Sequence, residues 1–265
     1  MSRGLIGHSG FVGTTLQRQT TFDARYRSDD IHTIDGREFD SVICCGAPAQ
    51  KWLANREPQA DRENIDRLIE HLARVRCETF VLISTVDVFG VPVDVDESSE
   101  VALDGLHPYG LHRRELELFV QSHFAKHLIV RLPGLVGPGL RKNVIYDLHN
   151  DNNLAAIDGR GVFQFYPMVN LWRDIRTALS HNLSLVHLNA APVSVTQVAA
   201  EGFDKTFDQV LQGRPGHYDM KTKYAALFGG RDDYICSARE TFQAVRSYAQ
   251  TELRDLPPAP VRGDA

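Results

Sequence analysis

The chain has 265 residues, 43% of them apolar and 24% charged, enough for one α/β domain with a smaller appended lobe or for two small domains. Its 29 basic and 34 acidic side chains give a formal net charge of -5, and no long basic run breaks that balance, which argues against a nucleic-acid surface. Cys44, Cys45, Cys77 and Cys236 show no metal-ligand spacing and fit a reducing, cytoplasmic setting. No secretory leader is expected, and the apolar runs at 80–83 and 128–130 are far shorter than the roughly 20 residues of a membrane span.

In chain order, the first segment is a short strand running into Gly7-His8-Ser9-Gly10-Phe11-Val12-Gly13, followed by helix-forming residues 14–19. Strand, glycine turn and helix in that order make a phosphate cradle for a dinucleotide. Gly7 permits the turn, Gly10 lets the backbone approach a pyrophosphate, and Gly13 lets the helix lie against the strand. The helix N-terminus would face the phosphates.

A second strand is expected near Phe22–Arg27. It ends in Arg27-Ser28, where an NAD enzyme usually carries an acid about 20 residues past the glycines. A guanidinium and a hydroxyl suit a 2′-phosphate, so NADP is expected, with NAD the alternative. A solvated arginine at a strand end is the bland reading, and Asp29 or Asp30 becomes the ribose acid if the strand runs further.

Residues 31–34 read as a third strand. The run 41–47 reads as a buried parallel strand ending in small residues, Cys45-Gly46-Ala47, over which a cofactor can sit. One long amphipathic helix is expected over Arg56–Arg76, with Ile65, Leu68, Ile69, Leu72 and Val75 on its inner face. Residues 79–84 form the next strand and lead into Thr85-Val86-Asp87-Val88-Phe89-Gly90. A helix opens at Pro108, and Tyr109 and Arg113 share one face of it at i and i+4. Residues 127–132 form a further strand, closed by Pro133-Gly134.

After Gly139 the pattern weakens: helices near 143–148, 171–179, from 195, and 238–253, strands near 163–166 and 183–188, and a loop over 213–218. The sequence divides into a nucleotide-binding body over 1–140, a smaller lobe over 141–253 with segments returning to the body, and a Pro-rich, disordered tail over 254–265.

Taken together, the glycine loop, Cys45-Gly46-Ala47, Pro58 with Asn64-Ile65, Thr85-Val86-Asp87-Val88-Phe89-Gly90, Pro108-Tyr109-Gly110-Leu111-His112-Arg113, 131–139, Asn189 with 192–194, and Gly213-Arg214-Pro215-Gly216 resemble, in order, the extended short-chain dehydrogenase/reductases. That NAD(P)-dependent epimerase/dehydratase group includes nucleotide-sugar epimerases and dTDP-dehydrorhamnose reductases. The resemblance spans roughly 3–250 and implies a doubly wound, Rossmann-like parallel sheet with a small C-terminal substrate lobe. It further implies hydride transfer on a nucleotide sugar or similar carbonyl compound.

In the family a tyrosine moves the proton, a lysine four residues on lowers its pKa and binds the nicotinamide ribose, and a serine or threonine holds the substrate oxygen. Tyr109 and Thr85 match those positions. Arg113 replaces the lysine; it carries charge, but its planar fork does not simply replace an ammonium. Tyr109, Arg113 and Pro133 are then also cofactor contacts. Asp87 stands where relatives place a second acid/base, while Val86 in place of an aspartate counts against 4,6-dehydration. Lys51, Trp52, Asn143 and Arg214 are candidate substrate contacts; packing, solvated charge and turn roles compete with each. No metal cluster is expected, a homodimer through the tyrosine-bearing helix is expected, and a non-catalytic NAD(P)-binding sensor or scaffold is the rival reading.

Overall fold

The structure is a computed structural model that describes residues 2–255. Its strands and helices, in chain order, are β1 (Arg3–Ile6), α1 (Phe11–Gln19), β2 (Ala24–Tyr26), β3 (Glu38–Cys44), α2 (Lys51–Arg56), α3 (Pro58–Leu72), β4 (Arg76–Thr85), β5 (Val93–Val95), α4 (Pro108–His123) and β6 (His127–Leu132). They continue with β7 (Gly134–Val136), α5 (Val144–Asn150), β8 (Val162–Phe163), β9 (Phe165–Pro167), α6 (Leu171–Ser180), β10 (Leu185–His187), β11 (Val193–Ser194), α7 (Val195–Phe203), β12 (Asp219–Met220) and α8 (Ala238–Thr251).

Six strands form one parallel sheet in the order β10-β6-β4-β3-β1-β2. The period of two in the strands decides how the layers assemble. Leu5, Ile43, Val81, Ile83, Leu128 and Val130 face one way and pack with Leu16 of α1 and Ile175 of α6. Ile6, Val42, Cys44, Phe80, Leu82 and Ile129 face the other way, against Ile65, Leu68 and Leu72 of α3 and Leu116 and Val120 of α4. Helices therefore cover both faces, and the sheet is doubly wound as expected. The order in which the chain adds strands reverses between β1 and β3, and in open parallel sheets ligands bind at the carboxyl edge of such a switch point.

Two expected elements differ. Residues 31–34 form a single 3-10 turn, not a strand; Ile31 and Ile34 are buried against the α3 side, so this turn is the crossover from β2 to β3. The long helix over 56–76 is broken at Glu57, whose φ of -123° and ψ of 63° are not helical. Pro58 causes this by restricting the residue before it, and it then serves as the first residue of α3. Arg76, expected to end the helix, opens β4, which also takes in residues 77–78 ahead of the strand expected from 79.

Beyond β6, the chain builds a third core from α5, α7, α8 and β9, centred on Ile145, Val195, Val198 and Val245. Segments return to the body: β10 extends the main sheet, and α6 packs on the α1 side. Of the expected tail, Arg254 and Asp255 bond to Asp151 and Asn150; residues 256–265 lie outside the described residues.

Candidate active site

The glycine turn lies at the carboxyl end of β1, held on both sides. Gly7 N–H donates to Tyr26 O at 2.8 Å, Cys45 N–H donates to Ile6 O at 2.9 Å, and Gln17 Nε2 donates to His8 O at 2.7 Å. A Cβ on Gly7, whose φ is +82°, would meet Cys45 O at 2.4 Å, and one on Gly13 would meet Gly7 O at 2.2 Å. Both glycines are demanded by the protein's own packing. Gly10 differs: a Cβ there meets only Gly7 O, at an ordinary 3.5 Å. Ser9 and Gly10 are exposed, beside a helix start whose first N–H groups have no intrahelical acceptor. The cradle thus fits a pyrophosphate, with Gly10 left small on its open side. Phe11 and Val12 begin α1, and Gly46 follows β3, where a Cβ would press on Ile6 at 3.0 Å.

At the end of β2, Arg27 Nη2 pairs with Asp29 at 3.0 Å, and Arg27 N–H donates to Asp30 Oδ1 at 2.6 Å. Ser28 Oγ donates to Asp29 Oδ1 at 3.3 Å. A cation and two acids thus stand together just past the end of β2.

Thr85 ends β4. Its hydroxyl accepts from Asp87 N–H at 3.1 Å and donates to Asp87 Oδ2 at 3.4 Å. The first turn of α4 presses on this corner: a Cβ on Gly110 would sit 2.1 Å from Asp87 O. Tyr109 N–H donates to Asn55 Oδ1 at 3.0 Å, and His107 Nδ1 accepts from Gly110 N–H at 3.0 Å. Tyr109 is therefore brought beside Thr85. Burial pushes the phenol above its usual pKa; Arg113 and a hydrogen bond from Thr85 pull the other way without prevailing.

Arg113 does share a face with Tyr109. Its Cζ lies 4.1 Å from the ring centroid. Its Nη groups, however, clasp Asp61 of α3, with Nη2 2.8 Å from Oδ1, and also donate to Pro48 O and to Tyr109 O. His112 Nδ1 meets the same carboxylate at 2.7 Å. Arg113, His112 and Asp61 are all buried. Burial acts to raise the Asp61 pKa, but the bonds from Arg113 and His112 outweigh it and hold the carboxyl low.

Asp87 has a cation of its own. Lys51 Nζ is 2.7 Å from Asp87 Oδ1, and Tyr218, from the loop before β12, donates its hydroxyl to the same oxygen at 3.1 Å. Lys51 also donates to Tyr218 Oη at 3.1 Å. Burial opposes the Lys51 charge, yet Asp87 and Tyr218 raise its pKa overall.

The remaining candidates separate. Trp52 stands 62% exposed with Arg56 stacked 4.8 Å from its ring. Asn143 caps α5: Oδ1 accepts from Ile145 and Tyr146 N–H, and Nδ2 donates to Leu135 O. Arg214 is exposed in the loop that carries Tyr218, and Pro133 joins β6 to β7. Sequence reasoning missed Asp61, Tyr218 and Lys142. Asp61 reads as one more charge near a helix start, and Tyr218 lies 131 residues from its partner Asp87. Lys142 donates to Ala49 O across the crevice. Among the described residues there is no group of side chains fit to hold a metal ion, and no helix long and apolar enough to cross a membrane.

The model of the NAD dependent epimerase/dehydratase family matches residues 20–150, starting just past the glycine turn. No curated protein sequence matches the chain. Among solved structures, a dTDP-4-dehydrorhamnose reductase from Clostridium acetobutylicum superposes with a TM-score of 0.73 at 19% identity, covering 94% of this chain and 99% of that one. RMD from Pseudomonas aeruginosa, complexed with NADPH, gives 0.71 at 17% identity over 95% and 100%. The UDP-glucose 4-epimerase of Thermotoga maritima, with UDP-glucose, gives 0.69 at 15% identity over 94% and 98%. These likenesses establish a shared fold along the length of each chain, and over residues 20–150 the chain is similar to the NAD dependent epimerase/dehydratase family.

Proposed function

We propose that this protein is a nicotinamide-dependent oxidoreductase or epimerase acting on a nucleotide sugar or similar carbonyl substrate. One observation carries the reading: the glycine cradle and the Tyr109–Thr85 pair share the carboxyl edge of one sheet, on the two sides of its switch point. The cofactor supplies or accepts the hydride when bound. Residues 7–13 hold its pyrophosphate, and Cys45, Gly46 and Ala47 give it room over β3. Thr85 orients the substrate oxygen, and Tyr109 moves the proton at that oxygen. Lys51 and Asp87 line the substrate side, with Trp52 at its mouth. Asn143 shapes that wall through α5, and Arg214 approaches from the lobe. Dimerisation through α4 belongs to the same reading.

Arg27 and Ser28 favour NADP over NAD, because a guanidinium bonds a 2′-phosphate in a charge-assisted pair. Binding titrations of NADPH and NADH to the parent and to Arg27→Asp check this. Preference for NADPH in the parent and its loss in the variant are expected; equal binding of both, unchanged by the substitution, removes the assignment.

The activity is tested by following nicotinamide absorbance with a panel of keto and hydroxy nucleotide sugars, in the parent and in Tyr109→Phe. The proton-transfer role predicts a fall in kcat on the order of 10²–10⁴-fold in the variant with cofactor binding retained. Turnover unaffected by the substitution contradicts the role of Tyr109. A parent that binds the cofactor and turns over none of the panel favours the sensor or scaffold reading.

A further inference from the structure

Tyr109 lies between two ion pairs, each closed on itself. On one side, Arg113 is clasped by Asp61, with the guanidinium against the face of the phenol ring and its Nη groups turned away toward the carboxylate. On the other side, Lys51 is paired with Asp87. Two cations and two carboxylates sum to zero, and the first pair is almost wholly withdrawn from water. A lone cation one helical turn away favours phenolate; a cation whose charge is offset by a buried anion favours it far less.

We propose that Asp61 is a positioning residue that cancels the Arg113 charge and thereby keeps Tyr109 a neutral phenol, so that the site works as a carbonyl reductase. The inference rests on the reading of Tyr109 as the proton-moving group and adds the direction of transfer. In the step it describes, the carbonyl carbon gains a hydride as reduced nicotinamide is oxidised. The carbonyl oxygen gains the Tyr109 proton, giving an alcohol, and the phenolate regains a proton from solvent. The reverse reaction needs Tyr109 to start as phenolate, the form this arrangement does not favour.

The groups that act on the phenol come from every element around it. Arg113 lies on its own helix, Thr85 and Asp87 at the end of β4, and Lys51 on α2, while the His107 ring that caps α4 lies 6.3 Å from the phenol ring. Asp61 and His112 act through Arg113. Burial opposes the phenolate most, and Asp87 opposes it further.

The test is a spectroscopic titration of Tyr109, reading phenolate absorbance of the ligand-free protein with the Tyr109→Phe trace subtracted. It needs no substrate or cofactor, so a silent turnover assay sinks the proposed activity without deciding the role of Asp61. In the parent, no Tyr109 phenolate is expected below about pH 10, the ordinary tyrosine value. Asp61→Asn leaves Arg113 uncancelled, and the ionisation should move down by about one pH unit or more, roughly a tenfold rise in phenolate fraction at a given pH. Should the single variant unfold, as loss of one partner of a buried pair often causes, Asp61→Asn/Arg113→Met removes both charges. That double variant should ionise within about half a unit of the parent. Parent phenolate below about pH 9, a folded Asp61→Asn protein that titrates like the parent, or a double variant displaced by a unit or more each overturns the proposal.

Discussion

At the residue scale, the site depends on small side chains as much as on reactive ones. Gly7 and Gly13 are fixed by contacts under 3 Å to a would-be Cβ, whereas Gly10 has only one, at 3.5 Å. Gly10→Ala should therefore fold with a melting temperature near that of the parent while its affinity for NADPH or NADH falls tenfold or more, about 1.4 kcal/mol; calorimetry and a binding titration check the two halves separately. Gly13→Ala should lose both, because Gly7 O stands 2.2 Å from the new carbon. Lys51 offers a contrasting case. Lys51→Ala leaves Asp87 and Tyr218 without their ammonium and, on the proposed function, should raise KM for the carbonyl substrate at unchanged cofactor affinity, measured by steady-state kinetics. These residue types and spacings were legible in sequence for the glycines, Thr85 and Tyr109. Asp61 was not, because its meaning comes from Arg113, 52 residues away on a neighbouring helix.

At the element scale, α4 is the part that brings the chemistry together. Its N-terminus is fixed by His107 capping Gly110, by Asn55 from α2, and by close packing of Gly110 on the turn after β4. A methyl at Gly110 meets Asp87 O at 2.1 Å, so Gly110→Ala should push the first turn of α4 outward and separate Tyr109 from Thr85. A fall in kcat of tenfold or more is expected, with NADPH binding much less affected, because the glycine cradle lies on β1 and α1. The glycine after Tyr109 is thus a packing requirement that sequence shows but does not explain. Periodicity placed most helices and all six strands of the main sheet; the segment at 31–34 reads as a further strand, but two isoleucines three apart share one side of a 3-10 turn and would fall on opposite faces of a strand. Pro58 marked a helix start in the sequence; its second consequence, the break at Glu57, separates α2 and its Lys51 and Asn55 from α3 and its Asp61.

At the scale of the whole molecule, the body and the lobe are joined through buried polar pairs as well as apolar contacts. Tyr166 of β9 donates to Asp174 of α6 at 2.6 Å, and burial is the main cause that raises the Asp174 pKa to about 6. The sign follows from linkage. A carboxyl whose folded pKa exceeds its unfolded value near 4 is bound to its proton more tightly when folded, so its contribution to stability is present below about pH 4 and is lost as pH rises toward about 6. Asp174→Asn keeps an acceptor for Tyr166 and removes the charge. It should stabilise the protein by roughly 1–2 kcal/mol at neutral pH, with the gain fading by about pH 4. Thermal unfolding at the two pH values reads this, and a gain that is equal at both contradicts it. Little of this joining was visible in sequence: after Gly139 the elements are short, and β10 and β12 find their partners 56 and 126 residues upstream.

The central claim is that one crevice, at the carboxyl edge of the sheet, receives a nicotinamide dinucleotide with its phosphates on the first glycine turn and its reactive ring beside Tyr109. A crystal structure of the protein grown with NADPH measures it most directly. The account predicts the pyrophosphate against the backbone amides of residues 8–13 and the nicotinamide within reach of the Tyr109 hydroxyl and Thr85. A dinucleotide bound elsewhere, or a Tyr109 hydroxyl turned away from the nicotinamide, contradicts it.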